Sequence, residues 1–257
     1  MADWNENQTR QGFGTAPSQQ GDVGTRTSMD AGLRKHMLSI YNYMASGVLL
    51  TGIVALLTAR SGLAVQFASG PLMWIVALSP LAVVFAMSFG RDRFSTGTLQ
   101  MMFWGFAVLM GLSLSTIFLV YTGASIATTF FATAAAFAGL SLFGYTTQKD
   151  LSGWGSFLIM GVIGLLVAMV LNWFLQSPAL MYAISFIGVL IFAGLTAYDT
   201  QRLKHEYMAV SQMKMTNPSV AAAYPMGKMV VMGALSLYLD FINMFLFLLR
   251  FMGAARE

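Results

Sequence analysis

Charge is what this chain has least of. Asp, Glu, Lys and Arg make up 9% of 257 residues and hydrophobic residues 57%, whereas a soluble domain carries about 25% charge. That balance excludes an ordinary soluble protein and points to one that lives in a lipid bilayer. Cysteine is absent, so disulfides, thiolate metal sites and cysteine nucleophiles are excluded. Histidine is scarce: His36 and His205 are the two present, at predicted cytoplasmic edges, so a His-based metal site or triad is not expected and surface roles are. No P-loop, HExxH or GxSxG string occurs. No basic block interleaved with aromatics suggests a nucleic-acid partner, even at a net charge of +4.

What the chain has instead is long uncharged runs. Arg93 and Lys149 are separated by 55 residues without Asp, Glu, Lys or Arg, and Asp150 and Asp199 by 48. A helix needs roughly 20 residues to cross about 30 Å of hydrocarbon, so each run holds a hairpin of two spans. Splitting at polar and Gly/Pro breaks predicts seven spans: 37–59, 72–89, 99–122, 125–145, 154–175, 178–201 and 228–251. The fold class is therefore all-α integral membrane, with the spans over 37–251. Residues 1–36 lack the apolar core of a signal peptide and read as a disordered cytoplasmic tail. Residues 202–227 read as a cytoplasmic loop.

Lysine and arginine are retained on the cytoplasmic side during insertion. With the N-terminus inside, the cytoplasmic segments hold eleven such residues, including Arg34, Arg91, Arg93, Lys149, Arg202 and Lys228, and the outer side holds Arg60, Arg250 and Arg256. This predicts N-in and C-out. Trp74, Trp104, Trp154 and Trp173 lie within about two turns of predicted helix ends, as interface anchors do. The fourth span is rich in small residues (Ala132, Ala134, Ala135, Ala136, Ala138, Gly139) and is expected to be buried between neighbours. Gly161, Gly164 and Ala168 give the fifth a similar face. The 20 methionines read as flexible packing rather than Cu(I) ligands.

Against this background two carboxylates stand out. Asp199 lies about one turn inside the cytoplasmic end of the sixth span, with Thr196 at i−3 on the same face. Asp240 lies near the middle of the seventh, with Ser236 and Asn243 one turn to either side. A carboxylate in hydrocarbon costs several kcal/mol unless paired, hydrated or protonated, so both are candidate functional groups. A helix apolar on most faces with one polar stripe belongs at the centre of a bundle. Two carboxyls that approach each other in low dielectric do not readily both ionise, and such a pair shares a proton and senses pH. Ionised and facing a hydrated cavity, the same pair makes oxygen ligands for a hard cation such as Ca²⁺. Blander roles remain open: Asp199 facing cytosol or pairing with Arg202, and Asp240 packing helices through a hydrogen bond. Asp240 also lies several residues deeper, so contact requires tilt or a sixth helix that continues past Gln201.

The strings "GVLIFAGLTAYDTQ" and "GALSLYLDFINMF", with "LRKHMLSIYNYMASGVLLTG" leading the first span, resemble the signatures of the Bax inhibitor family, in a bacterial form. The resemblance runs from about Leu33 to Phe251. It implies seven helices with the last enclosed by the other six. It also implies a pH-sensitive calcium leak governed by paired aspartates, with Asp199 and Asp240 at the two positions. A basic latch for the first aspartate is expected at the cytoplasmic end of the second span, where Arg91 and Arg93 both fit. The expected partners are the bilayer, Ca²⁺ and protons, and, by resemblance, an ATP-dependent membrane protease that a non-conducting regulator would modulate. The segment after Arg202 is longer than the resemblance leads one to expect, and the second span carries no carboxylate, whereas some relatives have one there. An enzyme is not expected: two intramembrane aspartates suit an aspartyl protease, but no GxGD-type context surrounds the second. No cofactor is expected beyond Ca²⁺ as the transported or bound ion.

Overall fold

A computed structural model describes the backbone of residues 20–217 and 225–254, with side chains from Met29 onward. Among these residues there are nine helices: α1 (Gln20–Arg60), α2 (Leu63–Phe67), α3 (Gly70–Phe89), α4 (Thr96–Leu114), α5 (Ile117–Val120), α6 (Gly123–Thr146), α7 (Ser152–Leu175), α8 (Pro178–Thr216) and α9 (Met226–Met252). Seven segments are long and apolar enough to cross a membrane, with α4 and α5 together forming the third. The exposed side chains agree: Phe89, Met101, Phe131, Met160 and Phe174 are each at least 70% exposed. Water would not tolerate apolar surface of that extent.

Local chemistry sets the ends. Ser95, Thr122 and Ser177 cap α4, α6 and α8, their hydroxyl oxygens accepting from the backbone N–H of Thr98, Ser125 and Leu180. The third span breaks between α4 and α5 where the Ser115 and Thr116 hydroxyls donate to the carbonyls of Leu112 and Ser113. Such back-bonds compete with the helical ladder.

The last helix is the core of the bundle. In α9, 67% of the most apolar window is buried, against 11–39% in the other six spans. It packs on α8, α1, α6 and α4, as its polar stripe predicts. The peripheral spans are α3, which rests on α4, and α7, which rests on α8. Tyr238 ties the centre together. Its ring meets Phe103 and Phe106 edge-on, and its hydroxyl lies 2.7 Å from Thr51 Oγ1. Thr51 spends its own hydrogen on Ala107 O at 2.8 Å, so Tyr238 is the donor.

Three sequence expectations change here. The helix ahead of the first span starts at Gln20, so the predicted tail is helical over 20–36, and residues 1–19 lie outside those described. Likewise α8 runs unbroken to Thr216, so the predicted loop is helical through 216, and 218–224 lie outside the described residues. The cause is shared. Leu33, His36 and Met37 of α1 are buried, His36 stacks on Tyr207 of α8 with ring centroids 4.8 Å apart, and tertiary packing overrides a polar composition. His36 is thereby an interior residue rather than a surface one. The third change concerns α6, which is buried on one face only. Thr129, Thr133, Phe137, Ser141 and Gly144 point inward, while Ala135, Ala136, Ala138 and Gly139 are exposed. Its close approach is made by Gly144, where a Cβ would collide with Ala197 O of α8.

Candidate functional site

The site forms where the second half of α8 packs against α9 near Ser236. Asp199 is buried, and both its oxygens are engaged. Oδ2 accepts from the Ser236 hydroxyl at 2.8 Å, and Oδ1 lies 3.2 Å from Arg202 Nη2. That same Nη2 donates to Ser236 Oγ at 3.0 Å, closing a triangle of carboxylate, guanidinium and hydroxyl. Arg202 has its side chain 45% exposed, against 8% for Asp199, so the pair has one end at the surface and one in the interior. The Arg202 guanidinium also lies 5.8 Å from the centroid of the Tyr198 ring, which favours the same rotamer.

Asp240 sits one turn farther along α9 than Ser236, about 6 Å along the axis, and is buried. Its Oδ2 has no hydrogen-bond partner. An unsatisfied buried acceptor costs about 1–3 kcal/mol, more if charged. Ser236, which bonds Asp199, lies one turn from Asp240 on the same helix, so α9 brings the two carboxyls to neighbouring levels of the bundle. This turn between Asp240 and the residue that bonds Asp199 is the depth offset expected from the sequence, and α8 continues past Gln201 to Thr216.

The supporting residues divide. Ser236 is in the triangle. Thr196 donates to Phe192 O at 2.8 Å and Asn243 to Leu239 O at 2.8 Å, so the hydrogen bonds of these two serve their own helices. Neither arginine of the α3–α4 turn meets Asp199. Arg91 pairs with Glu206 at 3.0 Å, and Arg93 is exposed. The guanidinium that meets Asp199 is that of Arg202, three residues away on the same helix, and spacing alone made that pairing available. Reasoning from sequence missed Gln201. Its Oε1 accepts from Leu151 N at 2.8 Å and its Nε2 donates to Lys149 O at 2.7 Å, clamping the α6–α7 turn against α8. An amide at the end of an apolar span was the available signal. Lys204 adds a bond to Tyr145 O at 2.9 Å, satisfying a carbonyl in the last turn of α6.

Among the described residues no three His, Cys, Asp or Glu side chains converge as a metal site. A cation at Asp199 and Asp240 would complete its shell from carbonyls, hydroxyls or water, which suits a transiently held hard ion.

A family model described as "Inhibitor of apoptosis-promoting Bax1" matches residues 33–257. The chain belongs to this Bax inhibitor family. Similar members include the Inner membrane protein YbhL of Escherichia coli, 43% identical over 88% of this chain and 94% of its own. An uncharacterized protein of Caulobacter vibrioides is 45% identical over the whole of both chains. RP147 of Rickettsia prowazekii is 43% identical over 90% and 94%. The Bax inhibitor resemblance of the two aspartate strings is thus extended to nearly the full chain, and the family membership and the seven apolar helices together make this a multi-pass membrane protein.

Proposed function

We propose that this protein is a pH-sensitive leak pathway for Ca²⁺ or a similar cation, gated at Asp199 and Asp240. The observation that carries the reading is the asymmetry of the two carboxyls. Asp199 has both oxygens occupied by Arg202 and Ser236, whereas buried Asp240 keeps one oxygen without a partner. An unsatisfied carboxyl oxygen in the central helix is a standing site for a proton or a cation. Release of Arg202 toward the water, where it is already half exposed, would free Asp199 to join Asp240. The gate is then a competition for Asp199 between the guanidinium and a proton or cation shared with Asp240.

The proposed setting is the inner membrane, as the name of the Escherichia coli relative has it for that protein. The N-terminus is inside and the C-terminus outside, following the lysine and arginine distribution. The deciding experiment uses purified protein in liposomes loaded with a calcium dye. Calcium entry that varies with pH between about 5 and 8 is expected, and no flux anywhere in that range refutes the channel.

A second reading rests on α8. Its 39 residues measure about 58 Å at 1.5 Å each, far more than a bilayer requires. Met213 and Met215 are exposed on the projecting part. A non-conducting regulator would use this helix to hold another membrane protein, such as an ATP-dependent protease. Co-purification lost on deleting 205–216, with flux absent in wild type, would favour it.

A further inference from the structure

A second polar site lies at the opposite end of the bundle from Asp199, where the last turns of α7 and α9 meet the first turn of α8. A cleft of about 720 Å³ opens there, lined by Asn172, Trp173, Gln176, Tyr182 and Arg250 among others. Two of its polar groups are unspent. Arg250 is exposed, and its one hydrogen-bond partner among the described residues is Met169 Sδ at 3.9 Å. No carboxylate pairs with it among those residues. Asn172 is 5% exposed. Its Oδ1 accepts from Ser177 N at 3.1 Å and its backbone carbonyl accepts from Gln176 N at 2.7 Å, locking the α7–α8 hairpin. The Nδ2 of that amide donates to nothing among the described residues. A nearly buried amide with unused donors, in the same cleft as a guanidinium that no carboxylate among the described residues neutralises, is a donor set without an acceptor among those residues.

We propose that this cleft binds the phosphate of an anionic phospholipid headgroup. Arginine presents paired N–H donors that match phosphate oxygens, and Asn172 Nδ2 supplies another. The source is a lipid rather than free phosphate because the rim is built for a bilayer. Trp173 and Tyr182 are 67% and 57% exposed at helix ends, where aromatic rings sit at headgroup depth. The apolar faces of Met181 and Pro178 line the same cleft. A cation in the last turn of α9 also opposes the helix dipole. That role needs only the charge and leaves the Asn172 donors unexplained.

The test is native mass spectrometry of the full chain with equal phosphatidylglycerol and phosphatidylcholine. Phosphatidylglycerol is expected to be retained in preference. Arg250→Gln should reduce that retention about tenfold or more, the scale of one lost hydrogen bond to a charged group, while Arg60→Gln, outside the cleft, should not. Equal retention of the two lipids by the wild type, or an unchanged preference in Arg250→Gln, overturns the site. Displacement of the lipid by inorganic phosphate at millimolar concentration overturns the lipid assignment. Should Arg250→Gln fail to fold, the unmutated site still answers. Brominated phosphatidylglycerol should quench wild-type fluorescence more than brominated phosphatidylcholine does, with the difference lost in Trp173→Phe. Equal quenching by the two lipids refutes the proposal.

Discussion

Ser236 donates its hydroxyl hydrogen to Asp199 Oδ2 at 2.8 Å across the α8–α9 interface, and Ser236 Oγ in turn accepts from Arg202 Nη2 at 3.0 Å. One hydroxyl thus stabilises the carboxylate and orients the cation that neutralises it. Removing it in Ser236→Ala leaves Asp199 Oδ2 without that donor, at a cost of about 1.5–3 kcal/mol for a hydrogen bond to a charged group. The loss falls on the latched arrangement. In the calcium-dye assay Ser236→Ala should therefore leak more than wild type at a pH where wild type is closed, and Ser236→Thr, which keeps the hydroxyl, should restore closure. Equal leak from both variants would show that the hydroxyl does not hold the gate.

The arginines separate cleanly. Arg202 touches Asp199, whereas Arg91 touches Glu206 with side chains 42% and 34% exposed. An exposed pair of the latter kind contributes about 0–1 kcal/mol. Arg202→Gln should alter the pH profile of flux, and Arg91→Gln and Arg93→Gln should leave it within error. A profile displaced by Arg91→Gln and untouched by Arg202→Gln would return the latch to the α3–α4 turn.

The spans were legible because uncharged runs of 55 and 48 residues leave no other fold in a bilayer. The two aspartates were legible because burial of a carboxylate is costly wherever it occurs. What could not be read was who partners whom. Thr196 and Ser236 look alike in sequence, each a hydroxyl within one turn of an aspartate. The Thr196 hydroxyl bonds its own helix at Phe192 O and the Ser236 hydroxyl crosses to the next helix, a difference set by helix rotation. Arg202 was hidden by the opposite problem, a choice among several arginines at the same membrane face. The helical continuation of α8 to Thr216 was masked because its stabilising contacts, such as Tyr207 on His36, come from a helix more than 160 residues earlier.

Close packing at the α6–α8 crossing gives a prediction about stability rather than gating. A Cβ at Gly144 would strike Ala197 O, which is backbone and cannot rotate aside. Gly144→Leu should therefore separate the helices and strain the Thr200–Ser141 contact at 3.4 Å. Overpacking of this kind costs about 1–3 kcal/mol, visible as a lower thermal midpoint in detergent. Gly139→Leu is the control: no atom lies within 4 Å of its Cβ position, and its midpoint should be unchanged. Helix propensity favours Leu over Gly at both positions, so equal loss at both would show that the Ala197 contact is not the cause.

Asp240 permits the sharpest separation of function from stability. Its Oδ2 lacks a partner, so the side chain is held at a cost that packing alone does not repay. Asp240→Leu removes the unsatisfied oxygen and fills similar space with an apolar group, and should be at least as stable as wild type in thermal unfolding. Asp240→Asn keeps the shape but cannot ionise. Both should lose the pH dependence of calcium flux, because neither can share a proton with Asp199. Asp150 does not confound the profile. Its carboxyl, hydrogen-bonded by the Ser152 side chain and backbone N–H, titrates below the usual carboxylate range, so it stays ionised throughout pH 5–8, and any stability it adds is lost only on further acidification. If Asp240→Asn retains the wild-type profile, proton sharing fails. If Asp240→Leu is markedly less stable as well, the carboxyl has a structural partner and the unspent oxygen is not the gate.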